Sequence, residues 1–249
     1  SGRYITALLP TLRRPVWSQG SMSSGSIIGE KWEMTGYDIP IRARMMETPS
    51  AELIYGLESS PWLASVCSLP EDGETRLEVS LSQEGHDRLR DIGLEDFLNG
   101  LREGISAGTR ALPHICFVPA TRAPAIQAAL GSTSASSRLL SVLDEPECCR
   151  MLLFIGSELD WFKGHFPGTP VLPGVVQLHW AARVARALFN FDRPPATVNR
   201  LKFQNVVVPP RVIELETEHV DRGRVRFAYR SGGVVHSSGM LRFDGAKSC

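Results

Sequence analysis

A stiff loop that runs directly into a long apolar segment constrains this sequence more than any other feature. Residues 156–174 are rich in Gly and Pro, and within them Pro167, Pro170 and Pro173 follow His165 at short intervals. Each proline fixes φ and removes a backbone donor, so the loop has few conformations. Residues 175–191 follow without a single Gly or Pro, and this pattern predicts one long apolar helix.

The segments around that helix alternate like strands. We expect strands over 150–155, 198–208, 212–220, 225–229 and 234–243. Asp221-Arg222-Gly223 supplies a hairpin turn between two of them. One long helix and several antiparallel strands predict an α+β domain in which the helix lies against the sheet.

The first half of the chain shows a different, mixed α/β pattern. Helices are expected over 50–59 and 94–105, and strands over 62–69, 75–81 and 114–119. Small polar residues from Gly131 to Ser137 are typical of linkers. The expected organisation is therefore a domain over 1–131, a linker over 132–145 and a second domain over 146–249.

Charge balance narrows the classes of function. The 249 residues carry 27 Lys and Arg against 27 Asp and Glu, so a globally basic nucleic-acid binder is excluded. The charges are uneven, with 14 basic and 9 acidic residues in 147–249. No apolar run approaches the ~20 residues that span a bilayer, and no secretory signal opens the chain. Because the chain begins at Ser1 rather than Met, we expect a processed product or a piece of a longer protein.

The cysteines predict a reducing compartment. There are five of them, an odd number, and no C-x-x-C pair is present. Cys148 and Cys149 are adjacent in an apolar stretch, where reduced core thiols are expected. This pattern indicates a cytoplasmic protein. The histidines lack ligand spacing, so no metal site is expected.

The loop and the start of the helix bring chemically useful groups together. Gly174 allows a ligand to approach the backbone closely, and the first N–H groups of a helix carry partial positive charge. Those groups are suited to holding the carbonyl oxygen of a thioester. His165 lies on the rigid loop, and an imidazole can move a proton near neutral pH.

The stretch His-Phe-Pro-x-x-Pro-x-x-Pro-Gly, followed by an apolar helix, resembles the hot-dog 3-hydroxyacyl-acyl-carrier-protein dehydratases. The matching residues are His165, Phe166, Pro167, Pro170, Pro173 and Gly174. The resemblance covers roughly 146–245, and Val-Leu-Pro-Gly-Val-Val-Gln-Leu-His-Trp is closest to the branch found in aryl-polyene-type pathways. It implies a hot-dog fold and the removal of water from a 3-hydroxyacyl chain, giving a trans-2-enoyl thioester in fatty-acid or polyene-type biosynthesis.

The resemblance also implies roles for individual residues. His165 would be the catalytic base, Gly174 would polarise the thioester carbonyl, and Phe166, Pro173 and Val175 would line the substrate site. The family places a carboxylate five residues after that glycine, whereas this sequence has His179 there. His179 is therefore a candidate acid, and a helix histidine packed at a subunit interface is the alternative. The family implies a homodimer, an acyl carrier protein as partner, and no cofactor besides the carrier's phosphopantetheine arm.

Two other functions stay open at this stage. A hot-dog thioesterase would need a carboxylate or an activated water near the loop, for which Glu158 and Asp160 are the nearest acids. A non-catalytic module that binds acyl thioesters or carrier proteins is favoured by the presence of His179. Gln177 is expected to be an exposed helix residue, with a hydrogen bond to the pantetheine arm as the alternative. The basic residues of the second domain provide a surface for an acidic partner, with ordinary solvated charge as the alternative: Arg183, Arg186, Arg200, Lys202, Arg211, Arg222, Arg224 and Arg226.

Residues 1–131 resemble, more weakly, the end of an adenylate-forming acyl ligase. The matching segments are 18–21, 32–38, 51–53, 60–62 and 119–126. Ser21 replaces an acidic residue of that family, and Ala125 stands where its adenylation lysine is expected. Without that lysine the adenylate phosphates lack a cation, so this chain is not expected to activate acids with ATP. The resemblance implies a truncated or degenerate part of a ligase–dehydratase fusion, and an unrelated α/β domain is the alternative.

Overall fold

The fold was analysed in a computed structural model, which describes residues 51–71, 74–104, 114–119, 123–131, 138–162 and 168–244. These residues all fall within one compact unit. The helices are α1 (Ala51–Glu58), α2 (Gln83–Ile92), α3 (Leu94–Glu103), α4 (Ala123–Leu130) and α5 (Gly174–Leu188). The strands are β1 (Leu63–Glu71), β2 (Glu74–Leu81), β3 (His114–Phe117), β4 (Arg138–Asp144), β5 (Cys148–Ile155), β6 (Thr197–Phe203), β7 (Arg211–Asp221), β8 (Arg224–Ser231) and β9 (Val234–Arg242).

The second half of the chain forms a six-stranded antiparallel sheet in the order β4-β5-β7-β8-β9-β6. Helix α5 packs on one face of it, because Val176, Trp180, Ala181, Val184 and Leu188 share a core with inward residues of the strands. This stripe recurs every three or four residues, as a helix with one buried face requires. The arrangement is the predicted α+β class, with a long helix wrapped by an antiparallel sheet.

The first half covers the other face of the same sheet. Strands β1, β2 and β3 form a small sheet, and helices α1, α2 and α3 share a core with it. That core also contains Leu140, Leu152 and Val212, which come from the large sheet. Successive strand residues point to opposite faces. Leu152 therefore faces this core, while its neighbours Met151 and Leu153 face α5.

The predicted linker over 132–145 is wrong for residues 138–144. These residues form β4, which pairs with β5 and buries Leu139, Leu140 and Val142. The small polar residues 132–137 lie outside the described part of the chain. The apolar residues that follow form a strand of the sheet because the core on each face buries some of their side chains: Leu139 and Val142 on one face and Leu140 on the other.

Helices α2 and α4 were absent from the sequence prediction. The buried face of α2 consists of Gly85, His86 and Leu89, so only one of its three members has an aliphatic side chain. Helix α4 is short and alanine-rich, and it packs against α5. Helix α5 ends at Leu188 rather than at 191, and β6 ends at Phe203 rather than at 208, ahead of Pro209 and Pro210. Among the described residues no helix is long and apolar enough to cross a membrane.

Candidate active site

The start of α5 exposes two backbone donors. The carbonyl of Pro173 accepts hydrogen bonds from the amides of Val176 and Gln177, at 3.0 and 3.2 Å. The amides of Gly174 and Val175 donate to no acceptor among the described residues. Free donors at a helix start attract partial negative charge. This end of α5 therefore has the groups that an oxyanion requires.

Gly174 lies close to an aromatic side chain. A Cβ added to it would lie 2.5 Å from the ring of Phe203 on β6, so that ring would have to move. The Phe203 side chain is 53% exposed, and the Val175 side chain is 70% exposed. Among the described residues, exposed apolar side chains thus lie next to these two amides. Apolar side chains next to an oxyanion donor exclude water, and this strengthens the electrostatic interaction between the donor and the oxyanion.

His179 lies on the exposed face of α5, five residues after Gly174. A helix rises ~1.5 Å per residue, which separates the two positions by about 7.5 Å along the axis. The imidazole lines a groove of about 880 Å³ between α4 and the outer face of α5. Besides His179, the groove is lined mainly by alanines and prolines, with two arginines and one aspartate: Ala125, Ala128, Ala129, Ala182, Arg183, Arg186, Ala187, Asn190, Phe191, Asp192, Pro194 and Pro195.

The structure corrects the interpretation of Gln177. It is neither an exposed helix residue nor free to bond a pantetheine arm, because only 3% of it is exposed. Its Nε2 donates to the carbonyl of Leu172, and its Oε1 accepts from Ser237 Oγ. No sequence pattern indicates this burial, because the spacing of a helix does not identify a polar partner sixty positions away.

Other candidates occupy different places. His165 and Phe166 lie outside the described residues, as do the ligase-like segments 18–21 and 32–38. Pro173 directly precedes α5 as its N-cap residue. Glu158 and Asp160, the acids considered for a thioesterase, are exposed in the segment before the loop. Ala125 is exposed on α4 and borders the groove that contains His179.

Three other histidines make structural contacts. His86 is fully buried between Ser141 and Glu214. His236 is buried and bonds Ser231, and burial lowers its pKa. His219 stacks on Phe189 with ring centres 5.2 Å apart. The four described cysteines are free thiols, and burial raises the pKa of Cys148.

The basic surface is only partly available to a partner. Arg224 pairs with Asp221, and Arg226 pairs with Glu218. Arg183 donates to the carbonyl of Ala128 at 3.1 Å. Arg186 is exposed and makes no ion pair with any described residue. Arg186 thus adds positive charge to the groove beside His179, while Arg200, Lys202 and Arg222 are also exposed and make no ion pair with a described residue.

The wrapped helix and its Pro-Gly start define the second half of the chain as a hot-dog domain. Within it, residues 142–240 match the model of the ApeI-like family, described as ApeI dehydratase. The resemblance predicted from the His-Phe-Pro motif is thereby confirmed for this region. The ligase-like resemblance of residues 1–131 stays a prediction.

Individual relatives agree with the family match. The chain is 33% identical over 87 residues to the 3-hydroxyacyl-[acyl-carrier-protein] dehydratase FabZ of Legionella pneumophila (strain Lens), covering 31% of this chain and 57% of the relative. It is 39% identical over 77 residues to FabZ of Moorella thermoacetica, covering 28% and 54%. The chain thus spans little more than half the length of these curated relatives.

Solved structures match part of the chain. The dehydratase heterocomplex ApeI:P from Xenorhabdus doucetiae matches 40% of this chain and 90% of its own, with 28% identity and a TM-score of 0.37. The dehydratase domain from the CurF module of curacin polyketide synthase matches 43% of each chain, with 16% identity and a TM-score of 0.37.

Proposed function

We propose that residues 146–249 dehydrate a 3-hydroxyacyl thioester carried by an acyl carrier protein, giving the trans-2-enoyl thioester. The observation that carries this proposal is the pair of amides at Gly174 and Val175, which have no acceptor among the described residues and follow the loop that bears His165 in the sequence. The match of residues 142–240 to a dehydratase family supports it. The reaction belongs to fatty-acid or polyene-type biosynthesis in the cytoplasm.

The reaction follows from the groups at the helix start. Neutral His165 takes the α-proton, and the electron pair moves onto the thioester oxygen. The Gly174 amide and the positive end of α5 stabilise that oxyanion. The electrons then return, the Cα–Cβ double bond forms, and the bond from Cβ to the hydroxyl breaks. The leaving hydroxide takes a proton and departs as water.

His179 is the proposed donor of that proton. It must be protonated while His165 is neutral, so the two histidines have to hold opposite protonation states. The exposed position of His179 beside a groove allows a substrate to reach it. No metal or redox cofactor enters this scheme, and the phosphopantetheine arm belongs to the carrier.

We infer that the carrier protein docks along the groove beside His179. Carrier proteins are acidic, and Arg186 has no ion-pair partner among the described residues. Opposite charges steer such partners and raise the association rate. Reversing the charge with Arg186→Glu is expected to raise the KM for carrier-bound substrate at least fivefold at low salt. Arg222→Glu, on the exposed β7–β8 turn, is the matched control and should change it little.

The test of the proposed reaction is mass spectrometry on a panel of 3-hydroxyacyl carrier proteins. The expected result is loss of one water by the wild type, no loss by His165→Ala, and a strongly reduced rate for His179→Ala. Carrier binding without water loss on any substrate would reject dehydration and favour the non-catalytic binding module. Release of a free acid would instead identify a thioesterase.

We propose separately that residues 1–131 form a degenerate ligase-like unit without adenylating activity. Support comes from Ala125, which stands at the expected lysine position and is exposed on α4. The purified chain should therefore show no acid-dependent exchange of pyrophosphate into ATP. Exchange with any carboxylic acid would contradict the proposal.

A further inference from the structure

A glutamine is buried one turn inside α5, where an apolar residue would be expected. Gln177 is 3% exposed, although glutamine is usually found at protein surfaces. Burying an amide is costly unless its hydrogen bonds are made. The hydrogen bonds of the Gln177 side chain therefore explain why a glutamine is tolerated at this buried position.

The Gln177 amide joins the loop to the sheet. Its Nε2 donates to the carbonyl of Leu172 at 3.1 Å, and its Oε1 accepts from Ser237 Oγ on β9 at 2.7 Å. Its backbone carbonyl accepts from the buried hydroxyl of Tyr229 on β8 at 2.8 Å. Burial raises the pKa of Tyr229 well above its ordinary value, so the hydroxyl remains a donor.

These bonds lie on both sides of Gly174. Leu172 is two residues before it and Gln177 three residues after it. The amide of Leu172 also donates to the carbonyl of Val207, at 2.9 Å. The end of the loop is thus held by its carbonyl to the helix and by its amide to the chain after β6. We call these two bonds, from Gln177 to the Leu172 carbonyl and from the Leu172 amide to Val207, the clamp. The clamp fixes the position of the Gly174 amide.

We propose that Gln177 is a positioning residue that sets the geometry of the oxyanion-binding amides at the start of α5. This inference rests on the proposed dehydration. Oxyanion donors work only when held at the right place before the reaction, and a displacement of ~1 Å can lower a rate about 100-fold. Gln177 acts through Leu172 and touches no reacting atom.

The first test compares Gln177→Met with Ser237→Ala. Each variant removes buried hydrogen bonding, but only Gln177→Met releases the Leu172 carbonyl. We expect Gln177→Met to lower kcat at least tenfold with KM changed less than threefold. Ser237→Ala should retain kcat within about threefold of wild type despite a comparable loss of Tm. Equal losses of kcat in the two variants would overturn the proposal.

A second test uses Gln177→Glu, which has nearly the same shape. An ionised Glu accepts from Ser237 but cannot donate to the Leu172 carbonyl, whereas a protonated Glu can do both. Burial raises the pKa of a carboxyl group, so protonation falls within reach of assay pH. The kcat of this variant relative to wild type should therefore rise as the pH is lowered from 8 toward 6. A pH-independent ratio would contradict the clamp.

Hydrogen exchange separates this inference from the proposed reaction. In Gln177→Met the amides of the segment 168–176 should exchange faster than in wild type, and in Ser237→Ala they should not. Unchanged exchange in Gln177→Met rejects the clamp, whether or not the wild type turns over. Absence of wild-type turnover together with the expected exchange pattern rejects the dehydration and, with it, the positioning role, but retains the clamp.

Discussion

A single buried carboxylate joins the two halves of the described chain. Glu214 on β7 is 1% exposed and accepts from His86 Nε2 on α2 at 3.0 Å. His86 Nδ1 lies 2.9 Å from Ser141 Oγ on β4, and Arg90 and Arg150 lie 3.5 and 3.6 Å from the Glu214 carboxylate. Burial alone would raise the pKa of Glu214. The hydrogen bond from His86 and the charges of His86, Arg90 and Arg150 outweigh it and hold that pKa below its usual value.

Replacing His86 with alanine is expected to destabilise the protein strongly. The change leaves Glu214 without its closest partner, and breaking a buried charged pair costs about 3–5 kcal/mol. Arg90 and Arg150 remain near the carboxylate, so we expect the lower end of that range. Urea unfolding at pH 7 measures the free energy of unfolding. Arg224→Ala, which breaks an exposed pair with Asp221, is the control and should change the free energy of unfolding far less, because water and salt screen exposed pairs.

The lowered pKa of the Glu214 carboxyl group predicts that the stability of the fold depends on pH. Because the folded-state pKa of Glu214 is lowered, its ionised form stabilises the fold above the unfolded-state pKa of about 4.3. That contribution is lost as the pH falls through the folded-state pKa. Glu214→Gln should therefore be less stable than wild type at pH 7, and the difference should shrink below about pH 4. A difference that stays constant from pH 7 to pH 3 would exclude this role.

At the residue scale, sequence reasoning succeeds where a motif is local. Gly174 and Pro173 were identified because they stand within a few positions of each other and of the helix they begin. His86 and Glu214 are 128 positions apart, so no local pattern connects them. The local sequence around His86 also does not indicate its role, because it does not distinguish a buried histidine from an exposed one. The role becomes evident only when the fold places Glu214 next to it.

At the scale of elements, α2 depends on a close backbone contact. A Cβ on Gly85 would overlap the carbonyl oxygen of Trp62. That carbonyl is held in place by the amide of Ser82, at 3.1 Å. Ser82 also caps α2 by accepting from the Gly85 amide. The helix can therefore lie this close to the turn before β1 only because residue 85 lacks a side chain.

Gly85→Ala should separate α2 from that turn. Overpacking a fixed contact costs about 1–3 kcal/mol, and a backbone obstacle places this change at the upper end. The matched control is Gly104→Ala at the end of α3, where φ is −73° and the nearest atoms are 3.7 Å from the added Cβ. The control should be neutral or stabilising by up to ~1 kcal/mol. Equal thermal stability of the two variants would contradict the packing argument.

Helices α2 and α4 were missed for different reasons. Helix α2 presents Gly85, His86 and Leu89 to the core, and only Leu89 is aliphatic. Helix α4 buries Ala123, Ile126, Ala129 and Leu130, but it has only eight residues, which is too short for a clear periodicity. Both are stabilised by contacts with distant segments of the chain. Helix α5 and strands β5, β7, β8 and β9 were predicted because their own side chains carry the periodicity.

In the molecule as a whole, the large sheet is covered on both faces, and β4 and β6 form its two edges. Helix α5 covers one face and the unit containing α1, α2 and α3 covers the other. Strand β6 ends the sheet and pairs only with β9 among the described strands. Exposed apolar side chains cluster on β6 and on the chain that follows it, namely Leu201, Phe203 and Val206, which is 64% exposed. An open edge with apolar side chains is a template for pairing with a second chain.

We propose that the homodimer implied by the resemblance to hot-dog dehydratases forms through the β6 edge. The double variant Leu201→Lys and Val206→Lys adds charge at two exposed apolar positions and should raise the dimer dissociation constant at least tenfold, equivalent to about 1.4 kcal/mol. Tyr55→Lys, at a 72% exposed site on α1, is the control and should leave the dimer intact. Sedimentation velocity over a concentration series measures the dimer dissociation constant of the double variant and of the control. In the family this domain resembles, each subunit supplies one catalytic group, so dehydration should fall with the dimer fraction. A monomeric wild type would reject the dimer, and a monomeric variant with full turnover would show that one chain is sufficient for the reaction.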